Sequence, residues 1–393
     1  MKTNRAFLAA FLCILIGTPL SAQQADSAFY VEKFIWDTTK TVLTMDFSGI
    51  DYPKSIEEAN PVFHNPPIRQ DTTNTCWAFS GTSFLESEIK RIHNREFKLS
   101  EMFTVYWEYV EKVRRWVRHK GRSLVPEGSE EDAVILRMKQ YGAVRDVDYT
   151  GLLEGRTKHN QDLMVKEIRS YLNYVKENRL WDENMAITYV RMILDKHMGR
   201  PPDMIQYKGE WTTPRKFLDN VLRLPLDDYV SFMSFKYAPF YTQAEYKVPD
   251  NWWHSDAYYN VPLDEWYGAI KGAIRNGYSL GIGGDVSEPG KSRELDIAVI
   301  PSFDILEDAI NQDAREFRFD NESSTDDHGI HLVGYVNRAG RDWFLIKDSG
   351  SSAQEGRFKG YYFFRDDWVR LKMLTFIVHK DAVADLLKKC ETR

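Results

Sequence analysis

The apolar pattern of this chain changes period along its length, and that change limits the class of fold open to it. After Cys76, apolar residues recur at helical spacing in one run: Trp77, Phe79, Phe84, Leu85, Ile89 and Ile92. A second helix is predicted from Ser100, as N-cap, to about Val117, with further helices over 130–140 and 159–198. From about residue 221 the texture turns to strand-like pieces and loops, with one more helix near 262–276. The last stretch alternates as an antiparallel sheet does: HGIHLVGYV, the hairpin NRAG, RDWFLIKDS, then GYYFF and MLTFIVH. Two strand-like pieces, around Phe29–Trp36 and Thr41–Phe47, precede the helices. A helix-rich half followed by a strand-rich half predicts an α+β protein of two lobes with a cleft between them.

The N-terminus reads differently. Lys2 and Arg5 precede an apolar run over 6–16, which ends at Gly17-Thr18-Pro19 and small residues up to Ala22. That is the anatomy of a secretory signal peptide, and the run is too short to span a bilayer. The expectation is a leader over 1–22 and a mature protein over 23–393, exported to the periplasm or outside the cell, with no membrane span after leader removal. The sequence is 43% hydrophobic and 28% charged, with a formal net charge of −6, which is globular composition. An acidic balance argues against a nucleic-acid partner, whose binders carry a basic stripe.

Past the leader only Cys76 and Cys390 remain, too few and too distant for a disulfide scaffold. The nine histidines form no H-x-x-x-H pair and no Cys/His cluster, so neither a metal site nor a cofactor is expected. GIGGDV at 281–286 lacks the lysine and strand–helix context of a phosphate loop and is predicted to be a turn between strands. Trp252-Trp253-His254 is read as aromatic packing under a loop in preference to a channel lining.

Two constellations carry chemistry. Cys76 opens a buried-looking helix, where a thiol meets the positive end of the helix dipole and backbone N–H groups can hold an oxyanion. Gln70, six residues upstream, can add an amide donor. A small buried core cysteine explains the same residues as well. The second constellation is Asp326-Asp327-His328 at a strand start. His331, an odd number of residues on, is expected to point to the opposite face. If Val336 opposes Arg341 across the hairpin, Asp348 arrives within one residue of His328, with its side set by the loop register. A carboxylate there would orient the imidazole and favour its protonated form. An exposed turn histidine and a strand-capping aspartate are the plain alternative.

Gln70 followed by Cys76-Trp77-Ala78-Phe79-Ser80, Leu99-Ser100-Glu101, HGIHLVGY at 328–335 and LIKDS at 345–349 resemble the papain-like cysteine peptidases, in order and spacing. GRPPDMIQYKGEWTTPRKFLDN (199–220), NVPLDEWYGAIKGAIRNGYSLGIGGDV (260–286) and the stretch 311–318 resemble the bleomycin hydrolase or aminopeptidase C branch, and the likeness runs from about 50 to 380. The resemblance implies a papain-like two-lobed fold over 23–393: a helical lobe with Cys76, a helical insertion over about 155–250, and an antiparallel β-barrel-like lobe over about 260–380. It implies peptide substrates, Cys76 as nucleophile, His328 as general base and acid, Gln70 with the Cys76 N–H as oxyanion hole, and Asp348 where the family has an orienting asparagine. The mature segment before Cys76 is too short for a pro-segment, and the branch controls access by ring assembly, which implies a homo-oligomer.

Three departures stand out. Asp348 replaces an amide by a carboxylate. Gly350 stands where the family carries a shielding tryptophan, which predicts a wetter Asp348–His328 contact. The tail DAVADLLKKCETR is unlike the chain end that holds the substrate amino group in aminopeptidase-type relatives. Two readings follow: an exported thiol peptidase acting on short peptides, by aminopeptidase in preference to endopeptidase action, or a catalytically weakened homologue that binds peptides.

Overall fold

The computed structural model describes residues 27–35, 38–125, 128–287 and 289–392; the leader read from the sequence lies outside them. The chain opens with a hairpin of Ala28–Ile35 and Thr38–Met45, paired antiparallel from Ala28↔Met45 to Ile35↔Thr38.

The helical lobe is built on Cys76–His93. Asn74, at φ 50°, turns the chain into the helix, and Asn94, left-handed at φ 50°, ends it. Lys90, Arg91 and His93 occupy the last turn, where cations complement the negative end of the dipole. Ser100 caps Glu101–Arg118 as expected, its hydroxyl accepting the Phe103 N–H at 3.0 Å. Asp132–Tyr141 follows. The single helix predicted over 159–198 is two, Asp162–Glu177 and Glu183–Met198. Arg179 turns left-handed at φ 55°, and the Asp182 carboxylate accepts the Met185 N–H at 2.8 Å, so a new cap overrides continuous helical periodicity. Trp77, Phe84, Tyr106, Val110, Val134 and Ile168 belong to one core that these helices share.

The other lobe is a ten-stranded sheet. Its middle runs Tyr229–Met233, Met373–His379, Leu280–Gly284, His328–Arg338, Arg341–Lys347 and Tyr361–Arg365, each antiparallel to the next. Phe232, Trp266, Ile282, Ile330, Leu332 and Phe344 form its core with helix Leu263–Arg275. Helices at Gln312–Asp320, Asp366–Lys372 and Ala384–Glu391 add to the helix expected near 262–276. The α+β architecture, whose two largest cores are one mostly helical and one strand-rich, is as read from the periodicities.

Two sequence expectations fail here. GIGGDV is no turn: Leu280–Gly284 is a central, wholly buried strand. Glycines inside a strand mark a close approach by another group: a Cβ on Gly281 would lie 2.8 Å from Ile377 Cγ2, and one on Gly283 3.0 Å from Thr375 Oγ1. The NRAG loop is also shorter than expected. Ala339 and Gly340, at φ 49° and 82°, make a two-residue turn, so Arg338 faces Arg341 and Val336 faces Trp343. A bulge between Leu332 and Gly334 shifts the register back by one, and the ladder ends at His331↔Lys347.

Candidate active site

Cys76 is the first residue of its helix and is half-buried, as is Cys390; both thiols are free. The Ala78 and Phe79 N–H groups donate to the Thr75 carbonyl at 2.9 and 3.3 Å, which closes the first turn behind the cysteine. The strand that starts at His328 lies along this helix, and the Gly329 N–H points to Cys76 Sγ at 3.5 Å.

Past Lys347 the chain leaves the sheet. The Asp348 N–H donates to the Gly360 carbonyl at 2.9 Å, and its carboxylate turns back to His328, with Nε2 to Oδ1 at 2.7 Å. The Gly350 N–H donates to the same oxygen at 2.7 Å. Burial works against a charge on His328, but the Asp348 carboxylate and Cys76 outweigh it and hold the imidazole well above its ordinary value. Burial likewise opposes the Asp348 carboxylate, and His328 overcomes it, holding the carboxyl well below the usual range. The wet contact expected from Gly350 is absent. The Asp348 side chain is only 1% exposed, because the loop from Gly350 folds over it and strand Tyr361–Arg365 closes the side. A Cβ on Gly350 would lie 3.1 Å from Asp348 Oδ1 and 3.5 Å from His328 Nε2, so backbone does the covering.

Gln70 is buried beside the same turn. Its side-chain Oε1 accepts the Ser349 hydroxyl at 2.8 Å, and its backbone N–H donates to the Ser349 carbonyl at 3.0 Å. The four residues singled out in the sequence are thus held by one helix start, one strand start and the three residues 348–350.

The two histidines differ in a way alternation alone does not predict. His331 also reaches the Cys76–His93 helix, two turns along, with Nδ1 2.8 Å from Ser83 Oγ. His328, the first residue of its strand and paired with Gly284, reaches the helix start instead. His331 is 1% exposed; burial first, then Lys347 and His64, hold it well below its ordinary value. His331 is therefore a neutral packing residue, while His328 carries the charge.

Sequence reasoning missed Glu131. Its carboxylate lies between the lobes against both partners: a Cβ on Gly329 would come within 2.7 Å of Oε1, on Gly283 within 3.5 Å of Oε2, and on Gly281 within 3.4 Å of Cγ. The Ser80 hydroxyl donates to Oε1 at 3.2 Å. Burial, with Asp326 nearby, pushes Glu131 up to about 8. The signal was Gly329, where a Cβ would collide with the carboxylate; Gly281 and Gly283 stand at ordinary contact distance from it. Trp252 is packed, its Nε1 donating to Glu108 Oε1 at 2.6 Å. Among the described residues no group of His, Cys, Asp and Glu is placed to hold a metal ion, and no helix is long and apolar enough to cross a membrane.

The C-terminal helix Ala384–Glu391 packs through Leu386 and Leu387 on the strand-lobe core, and Lys389 pairs with Glu265 at 2.9 Å. That core takes Ile330 and Leu332, whereas Gly329 and His331 face the Cys76 helix, so the tail lies across the strand from the thiol.

No protein-family model matches the chain. It is 20% identical over 367 residues to aminopeptidase C of Lactococcus lactis subsp. cremoris, covering 82% of each chain. Against aminopeptidase C of L. lactis subsp. lactis it is 20% identical over 358 residues, again covering 82% of each. In structure it is similar to PepW from Lactobacillus rhamnosis HN001, with a TM-score of 0.66, 17% identity and 84% of each chain covered. Fold and sequence similarity agree with the motifs: the chain has the papain-like α+β fold and is similar to aminopeptidase C over most of its length.

Proposed function

We propose that this protein is an exported thiol peptidase that hydrolyses short peptides, with Cys76 as nucleophile and His328 as general base and acid. One observation carries the reading: His328 gives Nε2 to Asp348 at 2.7 Å and so turns its other nitrogen to the thiol at the helix start. Cys76 Sγ, as thiolate, attacks the scissile carbonyl carbon, and the carbonyl electron pair moves onto oxygen. The Cys76 N–H and Gln70 Nε2 are the donors for that oxyanion; with Oε1 committed to Ser349, Nε2 is the end of the amide left to donate. As the tetrahedral centre collapses, His328 passes its proton to the leaving amine. The neutral ring then takes a proton from water, which attacks the acyl-thioester and frees Cys76. Asp348 orients the ring throughout.

Similarity to aminopeptidase C supports trimming from the amino end. The tail here rests on helix Leu263–Arg275, with Lys389 paired to Glu265 at 2.9 Å. The leader-like sequence over 1–22 supports export to the periplasm or beyond. A second reading, a peptide-binding homologue with weakened turnover, draws on Asp348: a carboxylate in place of an amide disfavours the thiolate beside it.

The test is labelling by a thiol-directed peptidyl epoxide, read by intact mass from pH 5 to 8. Rapid single labelling that is absent in Cys76→Ala and slow in His328→Ala supports the peptidase. Labelling no faster than a free thiol moves the weight to the binding reading. Free and N-blocked peptides then separate aminopeptidase from endopeptidase action.

A further inference from the structure

Three residues on neighbouring strands share one row of the sheet face turned to the helical lobe: Thr375 pairs with Gly283, and Gly283 with Gly329. Two of the three carry no side chain, and the Glu131 carboxylate lies over both. A Cβ on Gly329 would be 2.7 Å from Oε1, and one on Gly283 3.5 Å from Oε2. Two more oxygens come to the same place, since the Cβ position of Gly283 is also 3.5 Å from Asp326 Oδ1 and 3.0 Å from Thr375 Oγ1. Thr375 is 2% exposed, and its hydroxyl has no hydrogen-bond partner among the described residues. Glu130, next to Glu131, is 3% exposed, and its Oε1 is without a partner in the same way. Buried polar atoms left so are costly unless a ligand meets them.

The row ends at the reacting pair. Gly329 follows His328, and its N–H points to Cys76 Sγ at 3.5 Å. Glu131 Oε1 therefore lies within about 9 Å of the sulfur, the span of two to three extended residues. Asp326 is half-buried and Asp327 exposed, so the cluster reaches the surface beside His328.

We propose that Glu131, Asp326 and Thr375 form a subsite for one primary ammonium group of the peptide substrate, its α-amino group or a lysine side chain. The proposal rests on the reading of Cys76 and His328 as the reacting pair. An ammonium has three N–H donors and no acceptor, and the three oxygens gathered around Gly283 can all accept. Among the described residues no group is placed to hold a metal ion, which leaves an organic cation as the matching charge. Burial first, then Asp326, push Glu131 up to about 8; burial, then Asp250 and Asp327, push Asp326 up to about 7. A cation among these carboxyls relieves the crowding and lets them ionise, whereas a neutral side chain does neither.

The experiment is alkylation of Cys76 in the full-length mature protein by peptidyl chloromethyl ketones, followed by intact mass. Two pairs of probes differ in one ammonium: alanyl-alanyl against acetyl-alanyl-alanyl, and acetyl-lysyl-alanyl against acetyl-norleucyl-alanyl. In wild type the ammonium probe of at least one pair reacts about tenfold faster or more than its neutral partner. The pair in which this appears identifies the source of the ammonium. Glu131→Gln brings that ratio down to about threefold or less, and Thr375→Val lowers it by a smaller factor. Asp326→Asn, at a half-buried loop residue, lowers it as Glu131→Gln does and is read in its place should that variant not fold. Each ratio is taken within one protein, so the reactivity of the thiol cancels. Ratios near one for both pairs in wild type, or a tenfold ratio that survives in Glu131→Gln and Asp326→Asn, overturn the proposal. A Cys76 no more reactive towards iodoacetamide than a free thiol overturns the catalytic reading instead, and the ratios still decide the subsite.

Discussion

Ser349 grips Gln70 at two points: its hydroxyl donates to Oε1 at 2.8 Å, and its carbonyl accepts the Gln70 backbone N–H at 3.0 Å. The residue after Asp348 thereby fixes the Gln70 amide, so the turn 348–350 holds both the carboxylate that meets His328 and the amide proposed above as oxyanion donor. Gln70→Ala is expected to lower the acylation rate by about 10²–10³-fold, the usual cost of one oxyanion donor. Ser349→Ala leaves the donor present but free to rotate, and a loss of about tenfold is expected. In a Gln70→Ala background the Ser349→Ala loss disappears; equal losses in both backgrounds would detach Ser349 from the amide. Single-turnover rates with an activated ester, compared across the four proteins, decide it.

Asp348 and His328 make a pH prediction with a definite sign. The raised His328 value means that its proton-linked stabilisation is whole below about pH 6.5 and is lost as pH climbs through that raised value. The depressed Asp348 value means that its share is whole above about pH 4 and is lost only in strong acid. Activity that needs the imidazolium should therefore persist into alkaline solution. In Asp348→Ala the alkaline limb of kcat/KM should fall by about one pH unit or more. An unmoved limb would mean that the carboxylate does not hold the ring.

How far the sequence carried the fold can be judged at particular residues. Ser100 as cap, the helix from Cys76 and the strand alternation after His328 were legible because each rests on local pattern: a capping side chain, a period of 3.6, a period of 2. The split at Arg179 was not, since the apolar spacing runs on through it. Nor was the hairpin register, where a two-residue turn and a bulge of one residue both had to be known before Asp348 could be placed. Gln70, Cys76, His328 and Asp348 were each nameable from motif and spacing. Ser349 and Glu131 were not, because their partners lie 279 and 51 positions away in the chain.

Glu131 gives a stability prediction of opposite sense. Its carboxyl is pushed up to about 8 by burial and by Asp326, so as pH rises above the unfolded value near 4.3 the fold is progressively penalised for keeping it protonated. Glu131→Gln keeps an acceptor for the Ser80 hydroxyl and removes that penalty. The variant is expected to gain on wild type as pH goes from about 5 to 8, reaching a few kcal/mol by order of magnitude. Chemical denaturation at pH 5 and pH 8 measures it. A constant difference between the two pH values would show that another group of the cluster carries the proton.

Gly329 joins these threads, since it adjoins His328, donates its N–H towards Cys76 Sγ and gives room to Glu131. Its backbone is ordinary strand, so a methyl group there is refused by neighbours and not by the dihedrals. That methyl would sit 2.7 Å from Glu131 Oε1 and 3.2 Å from the Trp77 Cα. The first contact is a side chain that can be removed; the second is backbone of the Cys76 helix. Gly329→Ala is therefore expected to cost about 1–3 kcal/mol and to push the strand off the helix at the point where thiol and imidazole meet. Adding Glu131→Ala should restore part of the stability but little of the epoxide labelling, because the clash with Trp77 remains. Gly283→Ala is the control: its methyl would meet Thr375 Oγ1 at 3.0 Å and Glu131 Oε2 at 3.5 Å, away from the helix backbone, so labelling should survive there. Equal labelling of Gly329→Ala and wild type would mean that the approach of strand to helix at this glycine does not set the distance between Cys76 and His328.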